Sequence, residues 1–207
     1  MKQRGLFGGS FNPIHNGHLH LVRAARRALA LDSVLLMPTG EAPHKDSSAY
    51  APAEDRLAMC RLAAKYRPWL HVSDWEIRRP GRSYTVDTLT YLTGAEPDTH
   101  WTLMIGSDML LTFDQWREWE RILSMASLCA VSRCQGDLPE LNEKAEALRK
   151  AAPAADIRVL TVRAVPVSST QIRSLLQNNG DPSCLLPKNV VQYIREKGLY
   201  RTEVPQI

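Results

Sequence analysis

Short apolar runs alternate with longer stretches of helical spacing along almost the whole chain, and this rhythm restricts the fold more than any other feature. Leu6-Phe7 ends a first run, and Val34-Leu35-Leu36-Met37 forms a second, stopped by Pro38. Leu70-His71-Val72, Trp101 to Ile105, Ser127 to Val131 and Ile157 to Val162 complete the set. Between them lie segments whose apolar residues recur every three or four positions: 17–30 with Leu19, Val22, Ala25 and Leu29, 52–66 with Leu57, Met59 and Leu62, and Thr85 to Leu92. Strand alternating with helix predicts a parallel sheet, because each parallel connection needs a crossover that packs back onto a face. Right-handed crossovers then make it a doubly wound, Rossmann-like α/β sheet with helices on both faces. Glu140 to Lys150, rich in Glu, Lys and Ala, reads as a helix with a solvated face. Helices over about Ser169–Gln177 and Asn189–Lys197 close the chain as a small C-terminal helical cap. No repeat or low-complexity segment divides the sequence, so residues 1–207 are expected to form one domain, with about 168–207 as its C-terminal helical part.

A chain of 207 residues buries roughly 70% of its unfolded surface, so this length needs no cross-links. Cys60, Cys129, Cys134 and Cys184 contain no C-x-x-C pair, which argues against a zinc or redox motif. The N-terminus lacks the apolar run of a signal peptide, and no stretch approaches the ~18 apolar residues of a membrane span. The expectation is a cytoplasmic protein with reduced thiols that does not engage a membrane. The net charge of +4 suits anionic small molecules as well as nucleic acid, but no Lys/Arg run with interleaved aromatics points to nucleic acid.

In a parallel sheet all strands point the same way, so the segments that follow them gather along one edge, where ligands bind. The first strand is followed by GGSFNPIHNGH (8–18), the second by PTGEAPHK (38–45) and the fourth by IGSDML (105–110) and FDQW (113–116). Arg133 follows the fifth and VSSTQIR (167–173) the sixth. Glycines, hydroxyls, imidazoles and cations converge there, with Asp108 and Glu41 as the main carboxylates; such an edge is suited to phosphate. Gly8 and Gly9 allow close approach of a ligand to the backbone. Gly17-His18 lies in the first turn of a helix, whose N-terminus offers free N–H donors and partial positive charge. His15 and His18, three apart, can point at a common ligand. Ser168, Ser169 and Thr170 repeat the arrangement at a later helix, with Arg173 one turn on. Neither G-x-G-x-x-G nor a Walker loop is present.

The bland alternatives are caps and packing. Ser168 and Thr170 suffice as helix caps without Arg173 beside them, Ser83 can cap the helix that Tyr84 and Thr85 begin, and Trp119 reads as a packing residue. His20, His71 and His100 read as ordinary surface or core histidines.

Taken together, these blocks resemble a known family. GGSFNPIHNGH carries the H-x-G-H motif of the nucleotidyltransferase superfamily, and SSTQIR matches its S-S-T-x-I-R motif. PHK (43–45), SYTVDTL (83–89), IGSDML, the Trp116 segment and LLPKNVVQYIREKGLY (185–200) look like bacterial nicotinate-mononucleotide adenylyltransferases, from about Gly5 to Tyr200. The resemblance implies adenylyl transfer from ATP to nicotinate mononucleotide, giving nicotinate adenine dinucleotide and pyrophosphate, with Mg²⁺ carried by ATP rather than by a protein ligand cluster. It implies an ATP site of Gly8, Gly9, Ser10, Phe11, His15, Gly17, His18, Lys45, Ser168, Thr170 and Arg173, with His15, His18 and Arg173 catalytic. It implies a nicotinate-mononucleotide site of His44, Lys45, Tyr84, Thr85, Gly106, Asp108, Trp116 and Arg133. The segment Arg133-Cys134-Gln135-Gly136 departs from the Arg-Pro-Gly turn of many relatives. A nicotinamide-mononucleotide enzyme, another small-molecule adenylyltransferase and a nucleotide sensor are the competing readings, and a homodimer is left open.

Overall fold

The computed structural model describes residues 1–41, 50–132, 135–163 and 165–201. Among these, strands β1 (Lys2–Gly9), β2 (Ser33–Pro38), β3 (Leu70–Val72), β4 (Thr99–Gly106), β5 (Ala126–Ser132) and β6 (Ile157–Thr161) form one sheet. The order is β3-β2-β1-β4-β5-β6, and every neighbouring pair is parallel. The chain moves outward in one direction from β1 and in the other from β4, so a crevice opens beyond the carboxyl ends of these two strands.

The longer helices are α1 (Asn16–Ala28), α2 (Ala53–Ala64), α4 (Thr85–Ala95), α7 (Leu138–Ala151), α8 (Ser169–Gln177) and α9 (Lys188–Lys197). Three short ones, α3 (Trp75–Arg78), α5 (Ser107–Leu111) and α6 (Trp119–Met125), fill the connections. Side chains alternate across each strand and divide the interior into two layers. Phe7, Val34, Leu36, Met104, Cys129 and Val131 face the helices α1, α2, α8 and α9, which supply residues such as Val22, Met59, Ile172 and Ile194. Leu6, Leu35, Leu103, Ile105, Leu128 and Ala130 face α4 to α7, with Leu89, Leu110, Ile122 and Leu141. Burial on both faces explains why all of β5 is buried and why the strands read as continuous apolar runs. The C-terminal helices pack onto this sheet through Ile172, Leu176, Val190, Val191 and Ile194.

The doubly wound architecture is as expected, with two refinements. β1 continues to Gly9, so both glycines end a strand rather than begin a loop. The Glu140–Lys150 segment is also more than a solvated face: Leu141, Ala145 and Leu148, spaced four and three apart, are buried on α7. No helix among the described residues is long and apolar enough to cross a membrane.

Candidate active site

The loop leaving β1 is built by its own histidines. His15 is the N-cap of α1, with extended backbone at φ −142° and ψ 171°. Its Nδ1 accepts the His18 backbone N–H at 3.3 Å, and His18 Nδ1 accepts the His15 backbone N–H at 3.3 Å. This is a capping box in which two imidazoles replace the usual hydroxyl and carboxylate. The rings stack with centroids 3.6 Å apart. Because each Nδ1 is an acceptor, a neutral ring carries its proton on Nε2. His15 is buried and His18 half-buried.

Phe11, 2% exposed, holds the preceding bend at φ 45°, in the left-handed region that a side chain disfavours. Its ring meets His18 edge-on at 5.3 Å. Gly17 is required by close packing: a Cβ there would lie 2.8 Å from Val167 Cγ1 and 3.0 Å from His15 Nδ1. At Gly8 a Cβ would have only the Met37 carbonyl nearby, at 4.0 Å, which leaves this strand end open to a ligand.

The second cluster arrives from the far end of the chain. Ser168 is the N-cap of α8, its Oγ accepting the Gln171 N–H at 3.1 Å. Ser169 Oγ donates to the Pro13 carbonyl at 3.0 Å. Arg173 donates from Nη1 to the Asn12 carbonyl at 2.8 Å and from Nη2 to Thr170 Oγ1 at 3.3 Å. Two helix N-termini, with their imidazoles, hydroxyls and guanidinium, therefore belong to one rim.

Tyr84 is the N-cap of α4, without a side-chain capping bond, and Thr85 opens that helix. Ser83 does not cap it; its N–H donates to the Glu41 carbonyl at 2.9 Å, tying this stretch to the outlet of β2. Tyr84 and Trp116 are half-buried against the α4–α7 layer, Trp116 lies 5.1 Å from the Phe113 ring, and the Arg117 guanidinium sits 4.9 Å over the Tyr84 ring. Trp119 packs against the same layer. Gly106 ends β4, and Asp108 Oδ1 folds back to 2.7 Å from where its Cβ would be. The last β1–β4 pair is Phe7 with Met104, so Gly9 and Gly106 each lie two residues beyond it. The Tyr84–Trp116 group and the histidines are related by the switch-point crevice, whose strands β1 and β4 carry the segments that lead to them. His44, Lys45 and Arg133 lie outside the described residues.

Sequence reasoning passed over three groups here. Asn12 Oδ1 accepts the Ala51 N–H at 3.0 Å and the Tyr200 hydroxyl at 2.8 Å. Burial pushes the Tyr200 hydroxyl above its ordinary pKa, against the pull of Arg173 and Arg56. Arg56 is buried in α2, and burial lowers its pKa. A cation interrupting the stripe of Met59, Cys60 and Ala63 was the available signal. Nearby, Glu76 is buried: burial raises its pKa, opposed by hydrogen bonds from Thr88, at 2.6 Å, and Ser83.

The profile of the cytidylyltransferase-like family matches residues 6–175. A probable nicotinate-nucleotide adenylyltransferase of Acidithiobacillus ferrooxidans is 42% identical, over 95% of each chain. One from Neisseria meningitidis serogroup B is 40% identical, over 97% of this chain and 99% of its own. Among solved structures, the nicotinic acid mononucleotide adenylyltransferase of Plasmodium falciparum, complexed with NaAD, aligns with TM-score 0.77 at 16% identity over 97% and 98% of the two chains. A putative nicotinate-nucleotide adenylyltransferase of Vibrio parahaemolyticus aligns with TM-score 0.68 at 20% identity over 97% and 96%.

Proposed function

The chain belongs to the cytidylyltransferase-like family and, within it, to the nicotinate-nucleotide adenylyltransferases; from this premise we propose that it transfers the adenylyl group of ATP to nicotinate mononucleotide. One observation about its own residues carries the reading: Arg173 and Ser169 bond the backbone of the loop that leads into His15 and His18. That junction joins two anion-binding helix ends into a cradle for a triphosphate.

In this reading Gly8, Gly9, Ser10, Phe11, Gly17, Ser168 and Thr170 form the ATP cradle, with His15, His18 and Arg173 acting on the reacting phosphates. Lys45 is assigned to the same cradle. Tyr84, Thr85, Gly106, Asp108 and Trp116, with His44 and Arg133, hold the mononucleotide. A phosphate monoester has its second pKa near ~6 and is mostly dianionic at neutral pH, so the nucleophile needs no general base. Its oxygen forms a bond to the α-phosphorus, and the bond from that phosphorus to the bridging oxygen breaks, releasing pyrophosphate. In this reading the two imidazoles and the Arg173 guanidinium stabilise charge on the phosphates, so positioning and electrostatics supply the catalysis.

Mg²⁺ fits as a companion of ATP. Among the described residues no three His, Cys, Asp or Glu side chains group as a metal cage, and the cleft's donors are anion donors. Bound to the phosphates, the ion would neutralise their developing charge. The reading takes the enzyme to be cytoplasmic.

Pyrophosphate release from ATP and Mg²⁺, with nicotinate mononucleotide, nicotinamide mononucleotide and phosphopantetheine offered in parallel, tests the proposal. Nicotinate mononucleotide should give the highest kcat/KM. Preference for phosphopantetheine, or no release with either pyridine nucleotide, would overturn it.

A further inference from the structure

Arg56 has no part in the site as assigned. It is 3% exposed, and among the described residues it donates three hydrogen bonds, all to backbone carbonyls. Nε donates to Ala51 at 3.2 Å, Nη1 to Ser10 at 2.7 Å and Nη2 to Gly40 at 3.2 Å. One rigid, planar group thus fixes the loop after β1 against two points of the connection between β2 and α2. The shortest bond is the one to Ser10. In a trans peptide C=O and N–H point in opposite directions, so holding the Ser10 carbonyl towards Arg56 aims the Phe11 N–H away from it. Phe11 is the residue at φ 45°, a conformation that persists only where its surroundings impose it, and its ring is the edge against which His18 rests. Asn12, next in the loop, accepts the N–H of the same Ala51 whose carbonyl Arg56 holds.

We propose that Arg56 is a positioning residue for adenylyl transfer: buried beneath the loop, it fixes the Ser10–Phe11 peptide and, through the Phe11 ring, the seat of His18. The proposal rests on the function argued above, and its test separates the two.

Arg56→Lys keeps the charge but cannot span three carbonyls; Arg56→Gln keeps an N–H donor without charge and serves if the first variant folds poorly. Without substrate, the Ala51 amide, bonded to Asn12, and the Thr39 amide, bonded to Gly9, should exchange at least ~10-fold faster than in wild type. Amides of Leu103 and Leu128 in the sheet should be unchanged, and the His18 imidazole NMR signals should move. With substrates, kcat should fall by roughly 10- to 100-fold while the KM for ATP changes less than about 3-fold. In a His18→Ala background the same substitution should cost less than about 3-fold, because both changes act on one group. Unmoved His18 signals, or an equal kcat loss with and without His18, would overturn the proposal. A wild-type protein that releases no pyrophosphate would refute the enzymatic reading, while the exchange and imidazole signals would still judge Arg56.

Discussion

In the proposed mechanism His15 and His18 divide a structural and a chemical task between different atoms of the same ring. Each Nδ1 closes the capping box, which leaves Nε2–H as the donor of a neutral ring. Substitutions can separate the two tasks, because the amide oxygen of Asn falls near Nδ1 and the amide nitrogen of Gln near Nε2. His18→Asn should retain stability within about 0.5 kcal/mol, since the cap acceptor survives, and lose on the order of 10²–10³ in kcat. His18→Gln should lose about 1 kcal/mol in denaturant unfolding yet keep more turnover than His18→Asn. Greater activity in the Asn variant would mean that the reacting phosphates do not depend on Nε2–H. The pair stood out in the sequence because glycines flank it at a strand–helix junction, which is where the fold puts it. Its mutual capping did not, because imidazole is an uncommon cap and only the 3.6 Å ring stack makes the reciprocal bonds reachable.

The elements that matter most to the site are α1 and α8, whose N-termini meet although 153 residues separate Asn16 from Ser169. Their approach depends on the absence of a side chain at Gly17, where a Cβ would intrude to 2.8 Å from Val167 Cγ1. Gly17→Ala should therefore destabilise the protein by about 1–3 kcal/mol and, if the proposed cradle binds ATP, weaken that binding, because overpacking here pushes the two helix ends apart. Adding Val167→Ala removes the clashing methyl and should restore part of both losses, as read by thermal unfolding and nucleotide titration. Full additivity of the two changes would argue against the contact. At this scale the sequence was informative wherever an element is long or buried on both sides: runs such as Leu35-Leu36-Met37 and Leu128 to Val131 stand out without periodicity. The short helices α3, α5 and α6, of 4, 5 and 7 residues, are too brief to show a repeat. Arg56 was hidden for another reason: a cation at an apolar position looks like an exception until the three carbonyls it serves are brought together by the fold.

Across the whole molecule, the two edges of the sheet carry different electrostatics, and pH should distinguish them. At the edge opposite the crevice, Arg4 at the start of β1 holds Glu96 with bonds of 2.5 and 2.6 Å. Burial works against the ionised form of Glu96, but the hydrogen bonds and charge of Arg4, with help from Thr99, outweigh it and keep its pKa below the ordinary value. Asp156 is likewise depressed, burial being outweighed by the bonds from Arg158 and Ser127. A depressed carboxylate stabilises the fold above its unfolded pKa, about 4, and that contribution disappears as acid protonates it. Glu76, on the crevice side, has the opposite sign: its raised pKa makes the folded state favour the protonated form, so its ionisation erodes stability as pH rises. Glu76→Gln, which keeps an acceptor for Thr88, should therefore raise the unfolding temperature at pH 7, with the gain shrinking towards pH 4. Arg4→Met should do the reverse, costing about 0.5–1 kcal/mol at pH 7 and less as Glu96 becomes protonated. Because Arg4 lies at the far end of β1 from His18, its variant should leave the KM for ATP and kcat unchanged. A loss of turnover in Arg4→Met, measured where the protein remains fully folded, would show that the two edges are not independent.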